Sequence, residues 1–116
     1  YHPFLQQLSV VEKCKKSNIH VQAYSSLARG KVCEDICLQE IAEKYNKKPE
    51  QVALKWAIQK GMSVLPKTKC PERMQTNFES LEIRLTDEEV DAIDLLERNE
   101  RLVKPAHSNF HDFSIK

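Results

Sequence analysis

Two glycines in 116 residues is a small complement, because average usage is roughly 7%. It excludes the phosphate-binding loops that depend on glycine for close backbone approach. Neither G-x-G-x-x-G nor G-x-x-x-x-G-K-[ST] occurs, so any nucleotide must be held by side chains and a helix terminus. Long apolar runs are also missing. No stretch of about 18 apolar residues is present and the opening residues have no signal-like apolar segment, so nothing assigns the chain to a membrane or to secretion. Charge of one sign is not in excess: 18 Lys+Arg against 17 Asp+Glu leave a net charge of +1, which argues against a dedicated nucleic-acid surface. The four cysteines, Cys14, Cys33, Cys37 and Cys70, form no C-x-x-C and no disulfide-dense pattern. That suits a reducing compartment, with the cytosol as the default.

What is present is the composition of a soluble globular domain, 41% apolar and 30% charged, long enough for one ordinary domain. Extended structure is favoured before Pro3, so Tyr1 and His2 read as the end of a strand. Ser9-Val10-Val11-Glu12 has the form of a capping box for a short helix from about Leu8 to Ser17, with Asn18 as a left-handed cap. Ile19 to Tyr24 alternates with period two and reads as a strand. Cys37, Leu38, Ile41, Ala42 and Tyr45 form a helical stripe. Pro49 then opens a second helix bearing Val52, Ala53, Trp56, Ala57 and Lys60 and ending at Gly61. Trp56 shares its face with small apolar neighbours and is expected to be a buried anchor.

The most informative stretch runs from Val64 to Asn77. Met62 to Leu65 reads as a strand, Pro66 ends it, and Pro71 opens a helix whose buried face is expected to be Met74, Phe78 and Leu81. Lys67 and Lys69 lie just past the strand, and Arg73 lies in the first helical turn, where free N–H groups and the positive end of the helix dipole favour an anion. The stretch has the makings of a phosphate-sized site; the plain alternative is a loop of solvated cations. Thr86-Asp87-Glu88-Glu89 is a second capping box, opening a last helix through Val90, Ile93, Leu95 and Leu96 to near Glu97. An irregular polar tail follows from Arg98 to Lys116.

Leu65-Pro66-Lys67-Thr68, Pro71-Glu72-Arg73 and Asn77 together resemble a signature of the aldo-keto reductases, NADP(H)-dependent oxidoreductases built on a (β/α)8 TIM barrel. Tyr1-His2-Pro3-Phe4 resembles the family's H-P-(Y/F) just after the sixth barrel strand, and Ala23-Tyr24-Ser25-Ser26-Leu27-Ala28-Arg29-Gly30 resembles its nicotinamide-side loop. The resemblance implies that Lys67, Thr68 and Arg73 hold the 2′-phosphate of NADPH and that Thr76 and Asn77 contact the adenine. At position 76 the family more often has Glu or Gln. It further implies that Tyr24 stacks on the nicotinamide and that Ser25 and Leu27 meet the pyrophosphate, with Arg29 able to add charge. The plain reading of Tyr24 is a barrel-core aromatic. The Lys31 to Ile36 connection is too short to fold over the pyrophosphate as a long loop does in some members.

The resemblance implies a fold class as well: α/β, the C-terminal portion of the barrel, with about two parallel strands, flanking helices and one extra helix. The family's catalytic tyrosine, lysine, aspartate and histidine precede the position matching Tyr1, and none falls within this chain. Two parallel strands alone leave edges and apolar faces open, so the chain is expected to be part of something larger or to self-associate. Three readings follow: the cofactor-binding part of a reductase acting on a small carbonyl substrate, an NADP(H)-binding module without catalysis, or a structural or partner-binding protein. Metal chemistry has little support. Cys33-x-x-x-Cys37 and His107-x-x-x-His111 lack converging partners, and His2 and His20 have none that the sequence identifies. No G-x-S-x-G elbow supports a hydrolase triad.

Overall fold

Two strands, β1 (Gln22–Ala23) and β2 (Ser63–Val64), lie side by side and parallel, with Gln22 opposite Ser63 and Ala23 opposite Val64. In this computed structural model, which describes residues 1–104, the link between them runs through α2 (Ile36–Lys44) and α3 (Pro49–Gln59), as parallel pairing requires. Helix α1 (Leu8–Lys16) precedes β1; α4 (Pro71–Phe78) and α5 (Asp87–Asp94) follow β2. The Ser63 and Leu65 N–H groups donate to the Val21 and Ala23 carbonyls at 3.1 and 3.3 Å. Successive carbonyls of an extended chain point to opposite sides, so the Tyr24 carbonyl faces away from β2. There it accepts from the Tyr1 main-chain nitrogen at 3.2 Å. Tyr1 thus lies along the other edge of β1, as the end of a strand should.

Both strands are shorter than the sequence predicts, Gln22–Ala23 within Ile19 to Tyr24 and Ser63–Val64 within Met62 to Leu65. Ile19 is 58% exposed and has no strand partner among the described residues, and ladder length depends on a partner far away in sequence, not on local pattern. His20, without an identifiable partner in the sequence, meets the Ser63 hydroxyl through Nε2 at 2.8 Å.

The core gathers on α3. Val52, Ala53, Trp56 and Ala57 are buried, and Leu38, Ile41 and Ala42 of α2 pack with them in one cluster that includes Phe4, Val32, Ile83 and Ile93. Trp56 is fully buried as expected; its ring stacks on Tyr1 with centroids 5.0 Å apart, and its Nε1–H donates to Asp94 Oδ1 at 2.8 Å. Three helices end alike. After α1, α2 and α3 the left-handed residues Asn18, Asn46 and Gly61 let the next N–H reach back to Cys14, Ala42 and Ala57, at 2.8, 3.0 and 3.1 Å. That closure satisfies terminal carbonyls and turns the chain sharply.

Three expectations need correction. Ser9 does not cap α1: the helix begins at Leu8, and Gln7, at φ 46°, precedes it with no side-chain cap. The segment before it is held by tertiary contacts, Gln6 Nε2–H donating to the Pro3 and Asp94 carbonyls at 3.0 and 2.9 Å, and this delivers the chain into the helix early. Met74, Phe78 and Leu81 do not form a buried face; they are 54%, 69% and 50% exposed, and α4 contains no buried residue. Among the described residues nothing covers that side. Leu95 lies past the end of α5 and is 85% exposed. The Thr86 box is present, its Oγ1 accepting from the Glu89 N–H at 3.2 Å while Glu89 Oε2 accepts from the Thr86 N–H at 3.0 Å. Residues 98–104 are irregular, and the rest of the tail, His107 and His111 included, lies outside the described residues.

Candidate nucleotide-binding site

Parallel strands end on the same side of their sheet, and ligands of α/β proteins bind outside those carboxyl ends. Here the register sets Tyr24 and Leu65 side by side just beyond β1 and β2, with Lys67 two residues further on. Tyr24 is 53% exposed. Among the described residues it is not buried; it stays open at the end of the sheet.

The loop after Tyr24 is tightly folded. The Ser26 hydroxyl donates to the Ala23 carbonyl at 2.6 Å, and the Ala28 and Gly30 N–H groups donate to Ser25 and Leu27 at 2.9 and 2.8 Å. Ser25, Ala28, Arg29 and Gly30 all have positive φ. For a non-glycine residue such backbone costs about 1 kcal/mol or more, and it clusters where function demands a shape. Ala28 and Val32 are fully buried and fix the loop, Leu27 packs against the core, and Arg29 stays exposed.

The second half of the site is the turn from Pro66 into α4. The Cys70 N–H donates to the Thr68 hydroxyl at 3.1 Å, which bends the turn and leaves that hydroxyl's own proton free to donate. Lys67, Lys69 and Arg73 are exposed and make no ion pair with a described carboxylate, whereas Lys31, Lys47 and Lys60 are paired. Glu72 is the one nearby anion on the first turn of α4, and the Cys70 thiol, 2.8 Å away, donates to its Oε2 and lowers its pKa. The Thr76 hydroxyl donates to the Glu72 carbonyl at 2.8 Å. Asn77 is half-buried on the same helix.

Sequence reasoning missed Gln51. Its buried amide accepts from the Lys48 N–H at 2.9 Å and donates through Nε2 to the Thr76 carbonyl at 2.8 Å, tying α3 to the helix that bears Arg73 and Asn77. The available signal was a glutamine at the third position after a helix start, where such side chains bond back to the cap N–H.

Two ammonium groups, a guanidinium, a hydroxyl and a helix N-terminus form a donor set suited to a phosphate ester, so the residues fit the phosphorylated end of NADPH. Among the described residues no group of three or more His, Cys, Asp or Glu could hold a metal ion. No helix among them is long and apolar enough to cross a membrane.

Comparison with known proteins decides the family. The family described as Aldo/keto reductase family matches residues 1–98. The chain belongs to it. This aldo/keto reductase chain is 39% identical over 103 residues to methylglyoxal reductase DkgB of Escherichia coli O157:H7, covering 89% of itself and 39% of that protein. It is 34% identical over 121 residues to the NAD(P)H-dependent D-xylose reductase XYR1 of Pyricularia oryzae, covering 92% of itself and 37% of the relative. A solved mutant of Gox0644 in complex with NADPH superposes at TM-score 0.87 with 30% identity, over 95% of this chain and 41% of the other. The chain thus spans under half the length of these relatives. The two parallel strands and their helices are a portion of the aldo/keto reductase (β/α)8 barrel, as the signature implied.

Proposed function

We propose that this chain supplies the nucleotide-binding part of an NADPH-dependent reductase that converts aldehydes or ketones to alcohols. The supporting observation is the placement of the open Tyr24 ring and Lys67 beyond the same end of one parallel pair, with Lys69 and Arg73 following on the turn and helix and none of the three cations in an ion pair with a described carboxylate. In this reading Lys67, Thr68 and Arg73 take the 2′-phosphate, Thr76 and Asn77 border the adenine, Ser25 and Leu27 meet the pyrophosphate, and Tyr24 stacks on the nicotinamide. The bound cofactor would supply hydride to a small carbonyl substrate. The proton donor comes from chain beyond these residues, since the positions that the family uses for it have no match here. The Thr76 hydroxyl already serves the Glu72 carbonyl, so the adenine contact rests more on Asn77.

Titration of NADPH and NADH by fluorescence tests the reading. Arg73→Ala removes a charge-assisted contact worth about 1.5–3 kcal/mol, so NADPH affinity falls roughly 10- to 100-fold while NADH affinity stays nearly level. Equal losses for the two nucleotides refute the phosphate assignment.

A second reading is favoured by a separate observation: the exposed stripe Met74, Phe78 and Leu81, and the edge of β2 left unpaired among the described residues. Such surfaces attract further chain. Either the rest of a barrel covers them, or copies of this chain self-associate through them. Sedimentation of the intact protein at several concentrations separates the two, because only self-association makes the apparent mass rise with concentration.

A further inference from the structure

The exposed arch Arg29-Gly30-Lys31 stands between two fully buried anchors, Ala28 and Val32. Ala28, Arg29 and Gly30 are consecutive left-handed residues, at φ 49°, 54° and 90°, so the arch is held in a backbone conformation that its side chains do not favour. Besides those anchors the arch is tied through Lys31, whose ammonium pairs with Oε1 of Glu100. Oε2 of the same carboxylate accepts from Arg98 Nε at 2.7 Å. The Glu100 and Arg98 N–H groups donate to the Phe4 carbonyl at 2.8 and 3.4 Å, and the Arg98 guanidinium lies 4.0 Å from the centre of the Phe4 ring. Phe4 is fully buried. The start of the tail is therefore docked on a fixed point of the core, and from that point one pre-oriented carboxylate reaches the arch.

We propose that Glu100 is a positioning residue: it latches the tail segment 98–104 to the Arg29–Lys31 arch, so that tail docking and nucleotide binding at the loop after β1 stabilise each other. The proposal rests on the nucleotide reading of that loop. An exposed Lys–Glu pair alone is a weak tie. Here Arg98 and the main-chain bond to Phe4 already order one partner, so closing the pair orders only Lys31 and the arch. Coupling of this kind is reciprocal: whatever factor the latch adds to nucleotide affinity, bound nucleotide adds to tail docking.

The test uses the intact protein with NADPH as the probe. Hydrogen exchange at the Glu100 amide is followed with and without saturating NADPH, and NADPH affinity is titrated for wild type, Lys31→Ala, Glu100→Gln, the double variant and Glu100→Asp. The expected result is roughly fivefold slower exchange at Glu100 on NADPH binding, a similar loss of affinity in Glu100→Gln, and partial recovery in Glu100→Asp. The double variant should lose no more than Glu100→Gln alone, since both substitutions remove the same contact. Additive losses overturn the latch, as does exchange at Glu100 that ignores NADPH in a wild type that binds it. A wild type that binds no NADPH overturns the nucleotide reading and the latch together.

Discussion

Replacing Gln51 by methionine should loosen α4 without opening the core. The two side chains have similar length and volume, so the substitution leaves no appreciable cavity. It removes two hydrogen bonds, from the Lys48 N–H at 2.9 Å and to the Thr76 carbonyl at 2.8 Å. Each is worth about 0.5–1.5 kcal/mol net. Lys48 is exposed, so water can satisfy its N–H and that loss falls at the low end. The bond to Thr76 matters more, because α4 buries none of its own residues and depends on ties of this kind for its place. About 1–2 kcal/mol less protection for α4 follows, which is roughly 5- to 30-fold faster amide exchange. Exchange in α5, held separately by the Thr86 box, should not change. NADPH affinity should drop with it, since part of the binding free energy would go to re-ordering the helix. If α4 amides exchange no faster in the variant than in the unsubstituted protein, the Gln51 bridge does not hold the helix and the reasoning fails.

Other outcomes are equally specific. Thr86→Ala should destabilise the protein by about 0.5–2 kcal/mol in denaturant titration, whereas Ser9→Ala, on a serine that caps nothing, should stay within about 0.5 kcal/mol. Burial is the main cause that holds the His2 imidazole down to about 4 in the folded protein. As pH falls through about 6.5 the unfolded chain takes up the proton first, so stability from this residue is complete above that pH and lost between 6.5 and 4. The drop is about 2 kcal/mol once solvent screening is allowed for, and His2→Gln should flatten it in acid denaturation profiles.

Much of the candidate site can be proposed from the sequence because its residues are contiguous. Lys67 to Asn77 is one turn and one helix, and Tyr24 to Gly30 one loop, so a linear motif contains them whole. Helix positions were legible for a similar reason: Pro49, Pro71, Gly61 and the Thr86 box act through near neighbours. What escaped depends on distant partners. The stripe Met74, Phe78, Leu81 has the same period whether or not something covers it, so periodicity alone could not report its exposure. The strands shrank because pairing is decided across the chain, and Ser9 lost its role because Gln6, gripped by Pro3 and Asp94, sets where the chain enters α1. The Lys31–Glu100 and Gln51–Thr76 ties join residues 69 and 25 positions apart and leave no local trace.

That α4 buries no side chain of its own has an evolutionary reading. The residues proposed to choose between phosphorylated and unphosphorylated nucleotides sit on a surface element, while folding is written into Trp56, Phe4, Leu38 and their neighbours on α2, α3 and the loops around them. Selection can therefore rewrite positions 67 to 77 with little change in the stability of the core. Cofactor preference in such a scaffold is free to drift or switch by single substitutions that the rest of the molecule barely registers.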